Sequence, residues 1–110
     1  MAASDPKPTD YIQYRLESSL LPKAKARLQG LGAACLHVHG EPLQESAVDI
    51  VGVYKSHAFC IELKVGNNVP TERQKLFLQK WARAGAFTGV AYTVADCLAV
   101  LQEIEREVDR

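Results

Sequence analysis

Apolar positions along the chain follow two different periods, and the change of period predicts the order of helices and strands. A helical period near 3.6 holds in three segments, residues 9–28, 71–84 and 94–108. Short apolar runs rich in β-forming residues occupy four others, residues 33–38, 47–54, 58–65 and 88–93. The predicted order is helix, strand, strand, strand, helix, strand, helix, which is typical of an α/β layer protein.

A few residues indicate how these elements begin and end. Pro22 falls inside the first helical segment and predicts a kink or a break there. Residues 40–46 are predicted as a loop, and residues 55–57 have the length of a hairpin connection. Thr71 and Gln74 have the spacing of a capping box at the start of the second long helix. The central strands are apolar on both faces, which predicts a sheet covered on both sides.

Length and composition narrow the class of protein. A chain of 110 residues accommodates one domain, which we expect over residues 9–110, with residues 1–8 as a disordered polar tail. Thirteen basic residues balance thirteen acidic ones, so bulk charge does not indicate a protein that coats DNA, although a local patch could bind it. No apolar stretch reaches the roughly 20 residues of a membrane span. The three cysteines lack metal-site spacing, so we expect buried thiols in a cytoplasmic protein without a membrane partner.

Three charged residues interrupt the apolar strands. Glu62 and Lys64 lie two residues apart and share a strand face, and a hairpin about residues 55–57 places Asp49 nearly opposite Glu62. Neighbouring carboxylates on hydrophobic strands repel each other and resist desolvation, so they indicate a site for a divalent cation such as Mg²⁺. The alternative, which the spacing alone favours, is an ion pair between Asp49 and Lys64 with Glu62 in solvent.

These motifs, in this order, resemble the PD-(D/E)XK nuclease superfamily. The likeness rests on residues 47–50 (Ala-Val-Asp-Ile), residues 60–64 (Cys-Ile-Glu-Leu-Lys) and Gln74 at the start of a helix. Within the superfamily the chain is similar to the small stand-alone VRR-NUC domain, which is related to Holliday junction resolvases. Val48 departs from the family pattern, which usually has proline there. The resemblance implies a restriction-endonuclease-like α-β-β-β-α-β-α core, with a mixed central sheet flanked by helices.

The resemblance also implies an activity and a set of site residues. It implies a metal-dependent DNA endonuclease that hydrolyses phosphodiester bonds, selects Holliday junctions or other branched DNA, and acts as a homodimer in a bacterial cytosol or a phage-infected cell. The cofactor would be Mg²⁺, with Mn²⁺ as a substitute. Asp49, Glu62 and the Leu63 carbonyl would bind the metal, Lys64 would be the catalytic lysine, and Gln74 would support the metal site.

Alternatives stay open at this stage. Glu17 matches the acidic residue of the family's first helix, and Asp10 is the other candidate for that position. Gln74 is explained equally well as a capping residue. The chain could also be a catalytically idle nucleic-acid binding module of the same fold, or a small interaction protein in which the charged triplet is only an ion pair.

Two basic regions flank the acidic centre of the sequence. Residues 41–70 carry four acidic and two basic side chains, whereas residues 71–85 carry four basic and one acidic. That distribution is expected where a metal site meets a phosphate backbone. Phosphate contacts are predicted for five residues, Lys23, Lys25, Arg27, Arg73 and Lys75.

Aromatic and histidine side chains offer weaker signals. Trp81, with Leu76 and Phe77, has the spacing of an apolar helix stripe, which predicts core packing rather than stacking on a nucleobase. His37 and His39 alternate along a strand. Without further ligands at suitable spacing, they are predicted to be solvated or to contact phosphate rather than to bind zinc.

Overall fold

The predicted order of elements is confirmed. The structure, a computed structural model, describes residues 3–38 and 48–110. After a 3₁₀ turn at Pro8–Tyr11, the elements are α1 (Glu17–Gly30), β1 (Ala34–His37), β2 (Ile50–Tyr54), β3 (His57–Leu63), α2 (Glu72–Arg83), β4 (Phe87–Ala91) and α3 (Val94–Val108). No helix in these two described ranges is long and apolar enough to cross a membrane. The predicted loop at 40–46 lies outside the described residues.

The four strands form one mixed sheet in the order β1-β2-β3-β4. The first three strands are antiparallel, and β3 and β4 are parallel because α2 carries the chain across between them. The connection between β2 and β3 has two residues, Lys55 and Ser56, with φ of 47° and 66°. Positive φ at both positions matches the twist of a tight hairpin. The connection is one residue shorter than predicted, because His57 already belongs to β3.

The main core lies between the sheet and two helices, α1 and α3. Gly89 on β4 makes this packing close, since a Cβ at that position would lie 2.6 Å from Val100 Cγ2. The largest side chains buried in this core are Leu20, Leu28, Ile50, Phe59, Ile61, Leu63, Leu98, Leu101 and Ile104.

The opposite face of the sheet is covered only in part. Helix α2 packs there against β3 and β4. The small core beneath it consists of Val48, Val51, Cys60, Phe77 and Leu78. Leu36 is the cross-strand partner of Val51, and Val53 lies two residues after Val51, so both side chains share its face of the sheet. Leu36 is nevertheless 56% exposed and Val53 49% exposed. The prediction that both faces are covered is therefore wrong over β1 and β2 as far as residues 3–38 and 48–110 are concerned.

Helix α2 also buries fewer aromatic and aliphatic side chains than predicted. Leu76 is 63% exposed and Trp81 is 36% exposed, so the prediction that both lie in the core is wrong. Phe77 is half-buried and stacks on Trp81 with a centroid distance of 5.2 Å. The apolar side chains of α2 therefore extend beyond the part of the helix that packs on the sheet, which consists of Phe77 and Leu78.

Helix α1 begins later than predicted and continues through Pro22. Its first residue is Glu17 rather than a residue near Thr9, because Ile12 and Leu16 have extended backbones. The N–H that Pro22 lacks would bond to the carbonyl of Ser18, an exposed residue whose carbonyl can bond to water instead. The helix loses one hydrogen bond there, and the predicted break does not occur.

The segment that the sequence indicates as a disordered tail makes specific contacts from Ser4 onward. Ser4 is buried, and its hydroxyl donates a hydrogen bond to the Glu105 carboxylate. Its carbonyl accepts a hydrogen bond of 3.2 Å from Gln102 Nε2. Glu105 also accepts a hydrogen bond of 3.2 Å from the Tyr54 hydroxyl. These side-chain contacts with α3 fasten a segment whose polar composition alone suggests fraying.

Candidate metal centre

Asp49 and Glu62 meet at the open end of the β2–β3 hairpin. The register pairs Ile50 with Ile61, and the Asp49 N–H donates to the Ile61 carbonyl at 3.2 Å, so the next two positions, Asp49 and Glu62, stand opposite each other. Asp49 Oδ2 accepts a hydrogen bond of 2.7 Å from the Leu63 N–H, which fixes the orientation of its carboxylate. This is the juxtaposition that the sequence predicts.

Glu17 joins these two residues in an acidic cluster. One carboxylate oxygen from each of Glu17, Asp49 and Glu62 lies within 4.8 Å of the others. Glu17 reaches the cluster because α1 begins at this residue, whereas Glu62 enters from the end of β3. A cavity of about 200 Å³ opens beside them, lined by Glu17, Ser18, Leu21, His37, Asp49 and Leu63.

Glu62 carries the least compensated carboxylate of the cluster. The residue is 2% exposed, and its Oε2 is buried without a hydrogen-bond partner among the described residues. Burial first, and then the negative charge of Asp49, raise the pKa of Glu62 to about 8, while the Lys64 ammonium opposes this shift. A buried oxygen of this kind is destabilising unless a proton or a cation approaches it.

The donor set fits a divalent cation that prefers oxygen ligands. Three carboxylates supply the hard oxygen atoms that suit Mg²⁺ and Mn²⁺. The buried Oε2 of Glu62 is the specific sign, because the ionised carboxylate has no donor for this oxygen among the described residues and a cation would compensate it. Repulsion between Asp49 and Glu62 would also fall when positive charge lies between them.

Lys64 lies directly after β3 and interacts with the same carboxylate. Its Nζ is 3.6 Å from Glu62 Oε1, and its backbone N–H donates to the Ala91 carbonyl at 2.9 Å. The alternative of an Asp49–Lys64 ion pair with Glu62 in solvent is therefore wrong: Lys64 pairs with Glu62, and Glu62 is buried.

Gln74 makes a capping box and also contacts Glu62, so its contacts are compatible with both of the roles that the sequence leaves open. Its N–H donates to Thr71 Oγ1 at 3.2 Å and its Oε1 accepts from the Thr71 N–H at 2.8 Å, which completes a capping box at the start of α2. Its Nε2 donates to Glu62 Oε1 at 2.9 Å. The two roles coexist because the side-chain amide has a separate acceptor atom and donor atom.

His37, which the sequence predicts to be solvated or to contact phosphate, is half-buried in the region of the site, a position that its sequence pattern does not indicate. It is the last residue of β1 and pairs with Ile50, so it lines the cavity beside Asp49. The antiparallel pairing of β1 with β2 is the signal that could have placed it there. His39 lies outside the described residues. Leu63 lines the same cavity, and a metal contact from its carbonyl stays a prediction.

Asp10 lies in a different environment from the acidic cluster. Its carboxylate accepts a hydrogen bond of 2.7 Å from the Lys7 N–H and pairs with Arg27 at 3.3 Å. Of the two candidates for the first acidic residue, only Glu17 belongs to the cluster. Arg27 also donates to the Asp5 carbonyl at 3.3 Å, so this predicted phosphate contact is directed toward the protein's own N-terminal segment.

The other predicted phosphate contacts lie on two helices. Lys23 is exposed and Lys25 half-buried on α1, about six to eight residues beyond Glu17 and so roughly 9–12 Å along the helix axis. Arg73 and Lys75 are exposed on either side of Gln74. Lys75 is 3.3 Å from Glu72. The basic residues of α2 therefore stand next to the residue that contacts Glu62.

Comparison with solved structures matches the fold of the chain to a structure named "VRR_NUC domain". The match has a TM-score of 0.62 and a sequence identity of 21%, and it covers 81% of this chain and 94% of that one. The chain has the fold of a VRR-NUC domain. No protein-family model and no curated protein matches the sequence. The α/β architecture that the resemblance implied is confirmed.

Proposed function

We propose that this protein is a metal-dependent endonuclease that hydrolyses phosphodiester bonds in DNA. The observation that carries the proposal is the buried, unpartnered Oε2 of Glu62 within a cluster of three carboxylates. The Lys64 ammonium beside the same carboxylate adds the second element of a hydrolytic site. The likeness to a VRR-NUC domain supports the proposal at the level of the fold.

The acidic cluster, Lys64 and Gln74 would have different roles in such a reaction. Glu17, Asp49 and Glu62 would hold Mg²⁺ or Mn²⁺. A bound divalent cation supplies Lewis-acid activation and neutralises charge at the phosphate. Lys64 can donate a hydrogen bond to a water molecule and so direct its lone pair toward phosphorus, and its positive charge stabilises the negative charge that develops in the transition state. Gln74 positions Glu62 through its hydrogen bond of 2.9 Å.

The basic residues of α1 and α2 would bind the phosphate groups of the DNA backbone. We assign phosphate contacts to Arg73 and Lys75 beside the cluster, and to Lys23 and Lys25 along α1. Contacts of this kind position the duplex without reading its bases, so each should add affinity and salt dependence rather than sequence preference.

A homodimer that acts on branched DNA is the form of the enzyme that we propose. Helices α1 and α3 bury their apolar faces in the main core, whereas the sheet face with Leu36 and Val53, together with Trp81 on α2, leaves apolar surface exposed. We call these three residues the exposed apolar face. A two-fold dimer would cover it with its own copy and present two metal centres to a symmetric four-way junction.

The free thiols of the protein agree with a location in a reducing compartment, which we propose to be the cytoplasm of a bacterium or of a phage-infected cell. All three cysteines in the sequence, Cys35, Cys60 and Cys97, are free thiols. Cys60 and Cys97 are buried, which the sequence predicts, whereas Cys35 is only half-buried. Burial raises the pKa of Cys60 to about 11 and that of Cys97 to about 12. Such thiols remain reduced and unreactive in the cytoplasm.

Cleavage of a labelled DNA panel tests the proposed activity. A four-way junction, a plain duplex, a splayed arm and a single strand are incubated with Mg²⁺, Mn²⁺ or EDTA. We expect metal-dependent cutting, fastest on the junction. Glu62→Gln should abolish it, whereas Glu103→Gln, which makes the same change at an exposed position on α3, should not.

Two other outcomes would contradict the proposal in different ways. Tight junction binding without cutting would identify an idle binding module of the same fold. Neither binding nor cutting would leave the VRR-NUC fold with a different function.

A further inference from the structure

A second, larger groove adjoins the metal centre. It has a volume of about 720 Å³. We call it the Tyr92 groove, and it is lined by Gln13, Tyr14, Arg15, Val65, Gly66, Asn67, Asn68 and Tyr92. Val65 directly follows Lys64, and Arg15 precedes Glu17 by two residues. Consecutive Cα atoms are about 3.8 Å apart, so on both segments the chain passes from a residue of the metal centre to a residue of the groove within one or two positions.

The lining of the Tyr92 groove suits an anion. None of its eight lining residues is acidic. Arg15 is exposed and has no ion pair with a carboxylate in the described part of the chain, in contrast to Arg27, Lys64 and Lys75. A guanidinium that is not neutralised by its own protein can bind a phosphate through two parallel hydrogen bonds.

Two tyrosine side chains line the same groove as this arginine, and interactions with the rest of the protein hold each of them. The Tyr92 hydroxyl donates to the Asn68 carbonyl at 2.7 Å, and the Tyr92 N–H donates to Asp96 Oδ2 at 2.8 Å. Tyr14 packs against the main core. Fixed aromatic rings next to a cation are the combination with which proteins bind nucleotides outside a duplex, because the ring packs on the base while the cation binds the phosphate.

We propose that the Tyr92 groove binds an unpaired nucleotide of the DNA substrate beside the scissile phosphodiester. Arg15 contacts its phosphate, and the Tyr92 ring packs on its base. The inference rests on the proposed nuclease function and names the feature of branched DNA that is recognised. Within a duplex both faces of a base are covered by its neighbours, so only a base that has left the stack can contact the ring.

A binding experiment in EDTA separates this inference from catalysis. The probe is a splayed-arm DNA that carries 2-aminopurine as its first unpaired base, compared with a fully paired duplex of equal length. Fluorescence intensity reports stacking on the base, and anisotropy reports affinity. We expect wild type and Tyr92→Phe, which keeps the ring, to quench 2-aminopurine in the splayed arm. Tyr92→Leu should lose the quenching and bind about tenfold more weakly.

Arg15 is tested with a control of matched charge. Arg15→Gln should weaken binding of the splayed arm severalfold more than Arg106→Gln, which removes an exposed arginine on α3. Equal binding by the two variants, or unchanged quenching in a folded Tyr92→Leu protein, overturns the inference. Folding of each variant is verified by thermal unfolding.

The two proposals fail in distinguishable ways. Quenching that depends on Tyr92, without cutting in Mg²⁺, supports the groove and rejects the nuclease. Cutting in Mg²⁺ by wild type, with no effect of Arg15→Gln or Tyr92→Leu on binding, supports the nuclease and rejects the groove.

Discussion

The Glu62 carboxylate is held in a position that destabilises the folded protein when the carboxylate is ionised. It is buried beside Asp49, and one of its oxygens has no partner among the described residues. Its interactions with Lys64 and Gln74 involve the other oxygen, Oε1. Groups that are destabilising in the folded state are concentrated at functional sites, where a ligand or a reaction compensates for them. The stability of this protein should therefore respond to pH through this one residue.

A pH series with Glu62→Gln tests this expectation. The folded state raises the pKa of Glu62 to about 8, against about 4.3 in an unfolded chain. The folded state therefore binds the proton more tightly, and the resulting stability is present below about pH 4.3 and lost as the pH rises through about 8. Between about pH 5 and about pH 9 in EDTA, the free energy of unfolding should fall on the order of 2–5 kcal/mol further for wild type than for Glu62→Gln. Urea unfolding measures it.

The matched control for the pH series is Glu103→Gln, whose side chain is exposed. This variant should follow wild type at every pH. If wild type and Glu62→Gln show the same pH dependence, the carboxylate is compensated in solution and the metal centre loses its main support.

The charged residues of the site were predictable to different depths. The period of a strand and one hairpin placed Asp49, Glu62 and Lys64 together, because both are local properties of the chain. The partner of Lys64 was not predictable, because the sequence does not show whether its long side chain contacts Glu62 or Asp49. That Arg15 and Tyr92 line one groove was also out of reach, because the two residues are distant in sequence and come to the same groove only in the folded chain.

At the scale of elements, the start of α2 couples helix formation to the metal centre. Thr71→Ala should remove one capping hydrogen bond and lower stability by about 1 kcal/mol, while Gln74 can still contact Glu62. Gln74→Ala should lower stability similarly and should also reduce the rise in Tm on addition of Mn²⁺, since Glu62 loses its donor. Thermal unfolding with and without Mn²⁺ distinguishes the two variants, Thr71→Ala and Gln74→Ala. An equal loss of the metal effect in both variants would reject the separate roles.

Pro22 provides a second prediction at this scale. Pro22→Ala should restore the hydrogen bond to the Ser18 carbonyl inside α1 and raise the free energy of unfolding by about 1 kcal/mol or more. Ser19→Ala, at an exposed position one turn earlier, is the control and should change stability less. A loss of stability in Pro22→Ala, measured by urea unfolding, would show that the proline ring makes a stabilising contact.

Helix ends were harder to predict than helices. The apolar period extends back to Tyr11 and Ile12, yet both side chains are exposed and α1 begins only at Glu17. Periodicity shows that a segment can present an apolar face, but tertiary packing decides which turns are used. The capping box of α2 was predictable because its two residues bond to each other within one turn.

At the scale of the molecule, the exposed apolar face predicts the oligomeric state. Leu36→Asp should convert a dimer into a monomer, because a charge at a self-complementary contact is buried twice. Val108→Asp, at an exposed apolar position at the end of α3, should leave the dimer intact. Sedimentation measures both. A monomeric wild type, or a dimeric Leu36→Asp, would contradict the proposed interface.

The fold as a whole was predictable because the order of motifs and the order of elements agree. The mixed sheet that the resemblance implied agrees with that order: the β2–β3 hairpin gives an antiparallel pair, and the helical crossover through α2 gives the parallel pair β3–β4. The incomplete cover of the second face did not follow from it. Alternation shows that Leu36 and Val53 share a face, but not that α2 covers only β3 and β4.

The path of the chain through the sheet also orders the assembly of the metal centre during folding. Asp49 and Leu63 are bonded across 14 residues, and Glu62 and Gln74 across 12. Glu17, in contrast, reaches the cluster from 32 positions before Asp49. Contacts between distant segments form more slowly than local ones. We therefore expect a refolding chain to bring Asp49 and Glu62 together before Glu17, so that the third of the proposed metal ligands arrives only when α1 docks.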